Sequence, residues 1–207
     1  MTDVVAAERV FETVESKAAF RDVGCGGGQV ALAMAERFPS CSVTGVDLSK
    51  AQVRRALTRA EQQKSRTDFV EGNAAELPFP DNRFDLVYSV ASIKHWAERE
   101  KGIAECCRVL RPNGILAIVD ADPNCEREEI VRLVASYGFP KLLSPIVRRV
   151  FLTNVARGSP SQAEMESFLN VPVLQDVTVK GLRGYPVWIA LARKRKGSSA
   201  SAQIQTA

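Results

Sequence analysis

Residues 22–28 read DVGCGGG, an acidic residue followed by a cluster of glycines. The apolar residues 18–23 predict a β-strand that runs into this cluster, and residues 29–38 predict an amphipathic helix that Pro39 ends. Glycines at a strand-to-helix turn let a ligand approach the backbone and the free N–H groups at the start of the helix. The stretch therefore predicts a ligand-binding loop at the first turn of an α/β fold.

The spacing of the glycines indicates which ligand the loop suits. The dinucleotide fingerprint G-x-G-x-x-G is not met, because the third position after Gly24 and Gly26 falls on Gln29. A phosphate-binding P-loop is excluded, because no G-K-[ST] follows. The register that is present, D-x-G-x-G-x-G, places Asp22 on the strand, where a carboxylate attracts an ammonium group and repels a pyrophosphate.

Outward from this loop, short β-rich runs alternate with longer amphipathic runs, the pattern of βαβ units around a parallel sheet. Strands are predicted over 18–23, 42–47, 67–71, 84–89, 115–120, 173–182 and 187–193, and a helix is predicted over 5–16. A short turn at residues 184–186 joins the last two strands, so one of them must run antiparallel to the rest. The predicted fold class is α/β, a single doubly wound, Rossmann-like, seven-stranded sheet with an antiparallel last strand.

After the fifth strand the alternation pauses for three predicted helices. Asp122-Pro123 opens the first, which Gly138 closes, Ser144-Pro145 opens the second, and a capping box from Ser161 to Glu164 opens the third. We expect residues 1–196 to form one domain, with residues 121–172 as a helical insertion that serves as a lid over an acceptor site. Residues 197–207, GSSASAQIQTA, have the composition of a disordered tail.

Asp47 ends the second predicted strand, nineteen residues after Gly28. A carboxylate at this position can accept hydrogen bonds from both hydroxyls of a ribose. The structural alternative is that Asp47 caps the following helix, although Ser49 can fill that role. Together, the glycine loop and this acid predict a nucleoside-binding site.

Four stretches resemble the class I S-adenosylmethionine-dependent methyltransferases, and most closely the small-molecule branch that includes the ubiquinone and menaquinone C-methyltransferases. The stretches are DVGCGGG (22–28), VTGVDLS (43–49), GNAAELPFPDNRFDLVYS (72–89) and RVLRPNGILAIVD (108–120). They span about residues 18–120 in the family's order. The resemblance implies S-adenosylmethionine as the cofactor and in-line transfer of its methyl group to a small molecule.

The resemblance also implies a set of cofactor contacts. The methionine end would be held by Asp22 and the loop residues Gly24, Cys25, Gly26 and Gly28, and Ser89 would line the same pocket. Asp47 would bind the ribose hydroxyls, and Leu48 would lie against the face of the adenine. Asn73 and Ala74 would bind the edge of the adenine. Two residues depart from the family's pattern. Asn73 replaces an aspartate, although its amide oxygen can still accept a hydrogen bond from the adenine amino group. Arg21 replaces an apolar strand residue, and we expect it either to extend out at the edge of the sheet or to meet a carboxylate.

The only histidine, His95, follows the fourth predicted strand, at the edge of the sheet where ligands bind in open α/β folds. Its imidazole suits a general base for a protonated nucleophile. The alternative is that His95 and Trp96 pack this loop. Lys94 either orients an anionic substrate or is a solvated surface lysine.

Positive charge is concentrated in two parts of the chain. The net charge of +4 equals the run 193–196, which we interpret as the solvated edge of a flexible tail and not as a nucleic-acid site. Residues 130–163 carry five basic residues and no carboxylate: Arg132, Lys141, Arg148, Arg149 and Arg157. Within them, residues 145–157 predict an amphipathic helix whose apolar face holds Ile146, Val147, Val150, Phe151 and Val155. We expect this lid to receive a partly apolar, anionic acceptor; the alternative is a helix packed on the sheet with ordinary solvated arginines.

Several other classes of protein are disfavoured. Nucleic-acid amino-methyltransferases resemble one another in a [DN]-P-P-[FY] motif after the fourth strand, where residues 89–92 read SVAS, and no cysteine nucleophile stands there either. Five cysteines without a C-x-x-C pair predict reduced thiols and no metal site. No apolar run approaches the ~18 residues of a membrane span and no secretory signal is visible, so we expect a cytoplasmic protein. The sequence leaves two possibilities open. The basic helix could contact a membrane surface, and a partner subunit of a homodimer could cover the site.

The sequence thus predicts an enzyme, an S-adenosylmethionine-dependent methyltransferase acting on a small molecule. The first alternative is a protein that binds S-adenosylmethionine or S-adenosylhomocysteine without turnover. The second is a nicotinamide oxidoreductase, which the register of the glycines disfavours.

Overall fold

The structure, a computed structural model, describes residues 17–136, 142 and 144–197. Seven strands are present: β1 (Ala19–Val23), β2 (Ser42–Asp47), β3 (Asp68–Glu71), β4 (Phe84–Val90), β5 (Leu110–Ala121), β6 (Leu174–Gly181) and β7 (Val187–Lys194). The helices are α1 (Gln29–Arg37), α2 (Lys50–Gln62), α3 (Arg99–Val109), α4 (Arg127–Ser136), α5 (Ser144–Val150) and α6 (Gln162–Leu169), with a 3₁₀ turn at Ile93–His95 and a π-helix at Phe151–Val155. The predicted helix over 5–16 and the tail from 198 onward lie outside the described residues.

All seven strands form one sheet in the order β3-β2-β1-β4-β5-β7-β6. Strands β1 to β5 pair in parallel, while β7 runs antiparallel to both β5 and β6. The predicted α/β class and the antiparallel last strand are therefore confirmed. The chain order reverses direction at β1 and β4, and this is the point in an open α/β sheet where ligands bind, beyond the carboxyl ends of the strands.

Helices cover both faces of the sheet. On one face, α1 and α2 bury small and aliphatic residues such as Leu32 and Ala56 against Phe20 and Tyr88. On the other face α3 and α6 pack against the sheet, with Cys106, Cys107, Met165 and Leu169 in that core. Because both faces are covered, β1 is buried along its whole length, as expected for a central parallel strand. All five cysteines are free thiols, as their number and spacing predict.

The insertion after β5 differs from the prediction at its first helix. Asp122-Pro123 does not open a helix, and α4 begins at Arg127. The Asp122 side chain instead accepts a hydrogen bond from the Asn124 amide at 2.8 Å, and its carbonyl accepts one from Cys125 at 3.2 Å. In this turn, Asp122 accepts hydrogen bonds from backbone N–H groups as it would at the start of a helix. The Asp-Pro pair therefore indicates a turn here and not a helix start. The predicted end at Gly138 lies outside the described residues.

The second helix of the insertion changes its pitch. The α-helix α5 ends at Val150 and continues as a π-helix, closed by a bond from the Ala156 amide to the Phe151 carbonyl at 2.8 Å. The wider turn changes the direction of the side chains from Phe151 onward, so they do not continue a single apolar face with those of α5. Phe151 packs with Ala121 and Ile130 in a small core of its own, whereas Ile146 and Val150 are exposed. The third helix begins with the predicted capping box between Ser161 and Glu164.

The interpretation of the basic run 193–196 as a solvated edge is wrong for Arg193 and Lys194, whereas Arg195 and Lys196 are exposed. Lys194 belongs to β7 and is fully buried, and its ammonium donates to the Leu110 carbonyl at 2.7 Å and to Asn82 Oδ1 at 2.9 Å. Arg193 donates to the Asn113 carbonyl at 2.9 Å. Burial lowers the pKa of Lys194. These side chains fasten β7 to the start of β5 and to the loop before β4.

Candidate cofactor and acceptor site

The glycine loop bends away from β1 in a conformation that favours glycine. Gly24, Gly26 and Gly28 all have φ between 52° and 80°. A Cβ at Gly24 would overlap the Ser92 hydroxyl, so the loop can approach the segment after β4 only without a side chain there. A Cβ at Gly26 would meet nothing within 4 Å. The loop is thus closed beneath Gly24 and open above Gly26, as a cradle for a ligand must be.

Asp22 is the charged residue at the floor of this loop. Its carboxylate is buried, and Oδ2 has no hydrogen-bond partner among the described residues. Burial, together with the charge of Asp47, raises the pKa of Asp22 to about 7, although Arg21 and the Ala31 amide oppose the shift. A buried acid with an unsatisfied oxygen is stabilised by a cation or a donor placed beside it. The site therefore fits a ligand that carries an ammonium group.

Asp47 joins the end of β2 to the glycine loop. Its Oδ2 accepts a hydrogen bond from the Gly26 amide at 2.8 Å, and Oδ1 accepts one from the Ser49 amide at 2.9 Å. Ser49 in turn caps α2 through the Gln52 amide, so the role of cap falls to the serine. Asp47 is only half-buried, and a carboxylate retains further lone pairs for ribose hydroxyls. Next to it Leu48 is 69% exposed, an apolar surface beside the loop.

The loop after β3 carries the residues expected at the adenine. Asn73 is exposed, and its Oδ1 accepts the Ala75 amide at 3.0 Å, which leaves one lone pair of that oxygen for a ligand. The Ala74 amide has no hydrogen-bond partner in the described part of the chain. One acceptor, Asn73 Oδ1, and one donor, the Ala74 amide, are therefore available where the edge of the adenine is predicted.

A network that the sequence analysis missed holds this loop in place. Arg108 on α3 donates to the carbonyls of Leu77 at 3.0 Å and Phe79 at 2.9 Å, and it pairs with Glu105 at 2.6 Å. Glu105 also accepts the Leu77 amide at 2.7 Å. Burial would raise the pKa of Glu105, but the hydrogen bonds from Arg108 and the Leu77 amide hold it below its ordinary value. The only signal in the sequence was the spacing of Glu105 and Arg108 on one helix.

Arg21 takes neither of the two positions expected for it. It is buried, and its guanidinium lies 3.4 Å from the ring centroid of Phe79 and 4.3 Å from that of Phe84. Burial lowers the pKa of Arg21 to about 9. Its Nε and Nη1 have no hydrogen-bond partner among the described residues, so the cation–π contacts with the two rings help to compensate the buried charge. Arg21 thereby contacts the loop that Arg108 also holds.

Two neighbouring polar residues near the carboxyl end of β4, Tyr88 and Ser89, have side chains on opposite faces of the sheet. Ser89 is buried and its hydroxyl has no partner among the described residues. Tyr88 is the register partner of Asp22, and its buried hydroxyl is also unpartnered within the described ranges. Burial and the neighbouring Asp22 raise the pKa of Tyr88. Tyr88 was missed because a tyrosine within an apolar strand looks like an ordinary core residue.

In the segment after β4, Lys94 and Trp96 make contacts within the protein, whereas His95 is exposed. His95 is exposed in the 3₁₀ turn, while Trp96 alone packs the loop, with Nε1 donating to Ser92 Oγ at 3.0 Å. Lys94 is not a solvated lysine, because its side chain is only 10% exposed and its Nζ lies 4.0 Å from Asp120 Oδ1. The structure thus brings Lys94 to the end of β5 and leaves His95 free to face solvent or a ligand.

Metal ligands and membrane spans were sought over the same ranges. Within residues 17–136, 142 and 144–197, no group of three His, Cys, Asp or Glu side chains is placed to hold a metal ion. No helix of the described structure is long and apolar enough to cross a bilayer.

Residues 21–118 match a family model described as a methyltransferase domain. Among curated proteins, the chain is 42% identical over 101 residues to 27-O-demethylrifamycin SV methyltransferase of Amycolatopsis mediterranei, covering 48% of this chain and 37% of that protein. It is 35% identical over 102 residues to demethylmenaquinone methyltransferase of Thermus thermophilus, covering 49% and 46%. The chain therefore spans less than half the length of these two relatives.

A solved structure extends the likeness beyond the matched segment. The crystal structure of a SAM-dependent methyltransferase from Aquifex aeolicus superposes with a TM-score of 0.67 at 19% identity, over 90% of this chain and 88% of that one. At this identity the likeness concerns the fold, and it covers more of the chain than the family match does. Residues 21–118 thus resemble a methyltransferase domain in sequence, and the chain shares the fold of this SAM-dependent methyltransferase over most of its length.

Proposed function

We propose that the protein transfers the methyl group of S-adenosylmethionine to a small, partly apolar acceptor that carries a negative charge. The observation that supports this best is Asp22, a buried carboxylate with an unsatisfied oxygen beneath an open glycine loop. The cofactor supplies a methyl group on a positively charged sulfur and, in the same molecule, an ammonium group. A buried anion at the floor of the loop is complementary to both.

Each cofactor group has a matching residue in the proposal. Asp22 and the loop residues Gly24, Cys25, Gly26 and Gly28 bind the methionine part, with Ser89 below it. Asp47 binds the ribose hydroxyls while it holds the Gly26 amide, and Leu48 covers the adenine. Asn73 and the Ala74 amide bind the adenine edge. The free acceptor on Asn73 and the unpartnered amide of Ala74 support this last assignment.

We place the acceptor beneath the insertion of residues 121–172, at the carboxyl end of β4 and β5. Exposed Ile146 and Val150 stand beside exposed Arg148 and Arg149, so this surface attracts a molecule with apolar and anionic parts. The names of two relatives give a demethylrifamycin and a demethylmenaquinone as their acceptors, which supports a small-molecule acceptor here. His95 is the proposed base for the acceptor, because its exposed imidazole lies after β4 at the ligand edge of the sheet.

Calorimetric titration of the pure protein with S-adenosylmethionine, S-adenosylhomocysteine and NAD tests the proposal. We expect binding of the first two and none of NAD. A preference for NAD would overturn the proposal. An acceptor screen follows, in which mass spectrometry detects a gain of one methyl group. Cofactor binding without methylation of any acceptor in a broad screen would instead support a binding protein without turnover.

A further inference from the structure

A buried carboxylate that the cofactor does not use lies at the end of β5. Asp120 has no exposed side-chain surface. Its Oδ1 accepts hydrogen bonds from the Ala121 amide at 2.7 Å and from Ser159 Oγ at 3.0 Å. Its Oδ2 has no partner among the residues that the structure describes. A buried polar atom of this kind is costly, so it indicates a group that is bound there in another state of the protein.

Lys94 compensates the charge of this carboxylate. Its Nζ lies 4.0 Å from Asp120 Oδ1 and donates to the Val155 carbonyl at 2.5 Å. A buried negative charge without such a partner would be strongly destabilising. The ammonium approaches Oδ1, the oxygen that already has two donors, and Oδ2 stays unsatisfied. The pair therefore leaves Asp120 Oδ2 available as a hydrogen-bond acceptor.

Asp120 shares its face of the sheet with Ser89. In the parallel ladder Ser89 pairs with Ile118, and Asp120 follows Ile118 by two residues, so all three side chains lie on one face. The hydroxyl of Ser89 is also buried and unpartnered within the described ranges. Two unsatisfied polar side chains thus lie at the carboxyl ends of neighbouring strands, where ligands of open α/β sheets bind.

Part of the insertion closes over this position. Ser159 bonds to Asp120, Lys94 bonds to Val155, and Arg99 donates to the Gly158 carbonyl at 2.5 Å. Since Oδ2 has no exposure in this arrangement, residues 155–159 must shift before a ligand reaches it. The bonds of Lys94 and Arg99 connect the predicted lid to the chain after β4, and the bond of Ser159 connects it to the end of β5.

We propose that Asp120 Oδ2 accepts a hydrogen bond from a hydroxyl or amine of the methyl acceptor, and so selects acceptors that carry such a group. This inference rests on the proposed function. A carboxylate of the acceptor cannot occupy the position, because it would face a second carboxylate. The anionic part of the acceptor therefore lies elsewhere, and the exposed Arg148 and Arg149 are the cations that suit it.

The test compares two probes that differ by one hydrogen-bond donor. The protein is saturated with S-adenosylhomocysteine, and binding of 4-butylphenol and of its methyl ether, 4-butylanisole, is measured by ligand-observed NMR. We expect the wild type to bind the phenol at least about tenfold more tightly, the scale of a hydrogen bond to a charged group. In Asp120→Asn this preference should shrink to about threefold or less.

The matched control is Asp122→Asn. Asp122 is also buried at the end of β5, but its oxygens accept from the Asn124 amide and, at 2.7 Å, from Gln162 Nε2. This variant should keep the wild-type preference. The wild-type comparison needs no variant, so equal binding of the two probes overturns the inference even if Asp120→Asn does not fold.

Three outcomes would overturn the inference: equal binding of phenol and ether by the wild type, no binding of either, or an equal loss of preference in Asp122→Asn. Titration of the wild type with S-adenosylhomocysteine comes first, because it tests the proposed function separately from the role of Asp120. Failure to bind this compound contradicts the proposed function itself. Binding of it without a preference for the phenol contradicts only the assignment of Asp120.

Discussion

The Gly26 amide donates a 2.8 Å hydrogen bond to Asp47 Oδ2, so the acid at the end of β2 also holds the glycine loop that follows β1. One carboxylate thus shapes the cradle and, in the proposed complex, binds the ribose. The other oxygen of Asp47 accepts the Ser49 amide, which fixes its orientation before any ligand arrives. Preorganised groups of this kind reduce the entropy that binding must overcome.

Asp47→Ala should therefore weaken S-adenosylmethionine binding by about 100-fold, because it removes two charge-assisted contacts and loosens the loop. Calorimetry measures the affinity, and hydrogen exchange of the Gly26 amide should accelerate in the same variant. Asp68→Ala is the control, since Asp68 is exposed at the start of β3. Unchanged affinity in Asp47→Ala would remove Asp47 from the cofactor site.

Cofactor binding should depend on pH through Asp22, whose pKa is about 7 in the ligand-free protein. A cationic ligand binds the ionised acid, so affinity should fall as pH drops below 7, by up to about tenfold per pH unit. Asp22→Asn should weaken binding at pH 8 and flatten the profile. An affinity that is constant between pH 5 and 8 in the wild type would contradict this role.

The stability of the ligand-free protein should change with pH in the opposite sense. The pKa of Asp22 is higher in the folded state than in the unfolded chain, so the folded state binds more protons between about pH 4 and 7. This group therefore favours folding at the acid end, and its contribution is lost as pH rises through about 7. Chemical denaturation of the wild type and Asp22→Asn should show the variant gaining relative stability across this window.

Lys194→Met should destabilise the protein by about 2–4 kcal/mol, because it leaves Asn82 Oδ1 and the Leu110 and Arg108 carbonyls without their buried donor. Urea denaturation measures the change. Lys196→Met, at an exposed position two residues later, should lie within about 0.5 kcal/mol of the wild type. Equal effects of the two substitutions would show that the bonds of Lys194 do not matter for folding.

Arg108→Ala should weaken S-adenosylmethionine binding by about tenfold, although Arg108 is on α3 and is not a proposed ligand contact. Its bonds to the Leu77 and Phe79 carbonyls position the loop that carries Asn73. Arg111→Ala is the control, because it breaks a similar ion pair, to Asp85 at 2.9 Å, away from that loop. If both variants bind the cofactor normally, the network is structural only.

His95→Ala should lower turnover by at least about 100-fold with retained cofactor affinity, if the imidazole removes a proton from the acceptor. The assay uses the acceptor found by mass spectrometry, and calorimetry measures the affinity. The histidine is exposed, so its replacement should leave the thermal midpoint unchanged. Near-normal turnover would exclude His95 as the base.

Local patterns were sufficient wherever one segment carries the whole signal. The glycine loop after β1, the Ser49 cap and the Ser161 capping box each lie where a few consecutive residues place them. The prediction of a helix start at Asp122-Pro123 was wrong, because an aspartate side chain can accept a backbone N–H in a turn as well as at the start of a helix. At residues 151–155 the sequence predicted a continuous α-helix, whereas the structure has a π-helix, whose wider turn shifts the direction of the side chains that follow.

The sequence by itself determined the α/β alternation, the antiparallel last strand and the position of the glycine loop after β1, because these depend on periodicity and on turn chemistry within short windows. The partners of the charged side chains were decided only by the tertiary structure. Arg21 lies over two aromatic rings, Lys194 is buried among carbonyls, and Lys94 in the turn after β4 lies beside Asp120 at the end of β5. Residues far apart in the chain supply each of these contacts, and desolvation makes such contacts necessary once the strands have assembled.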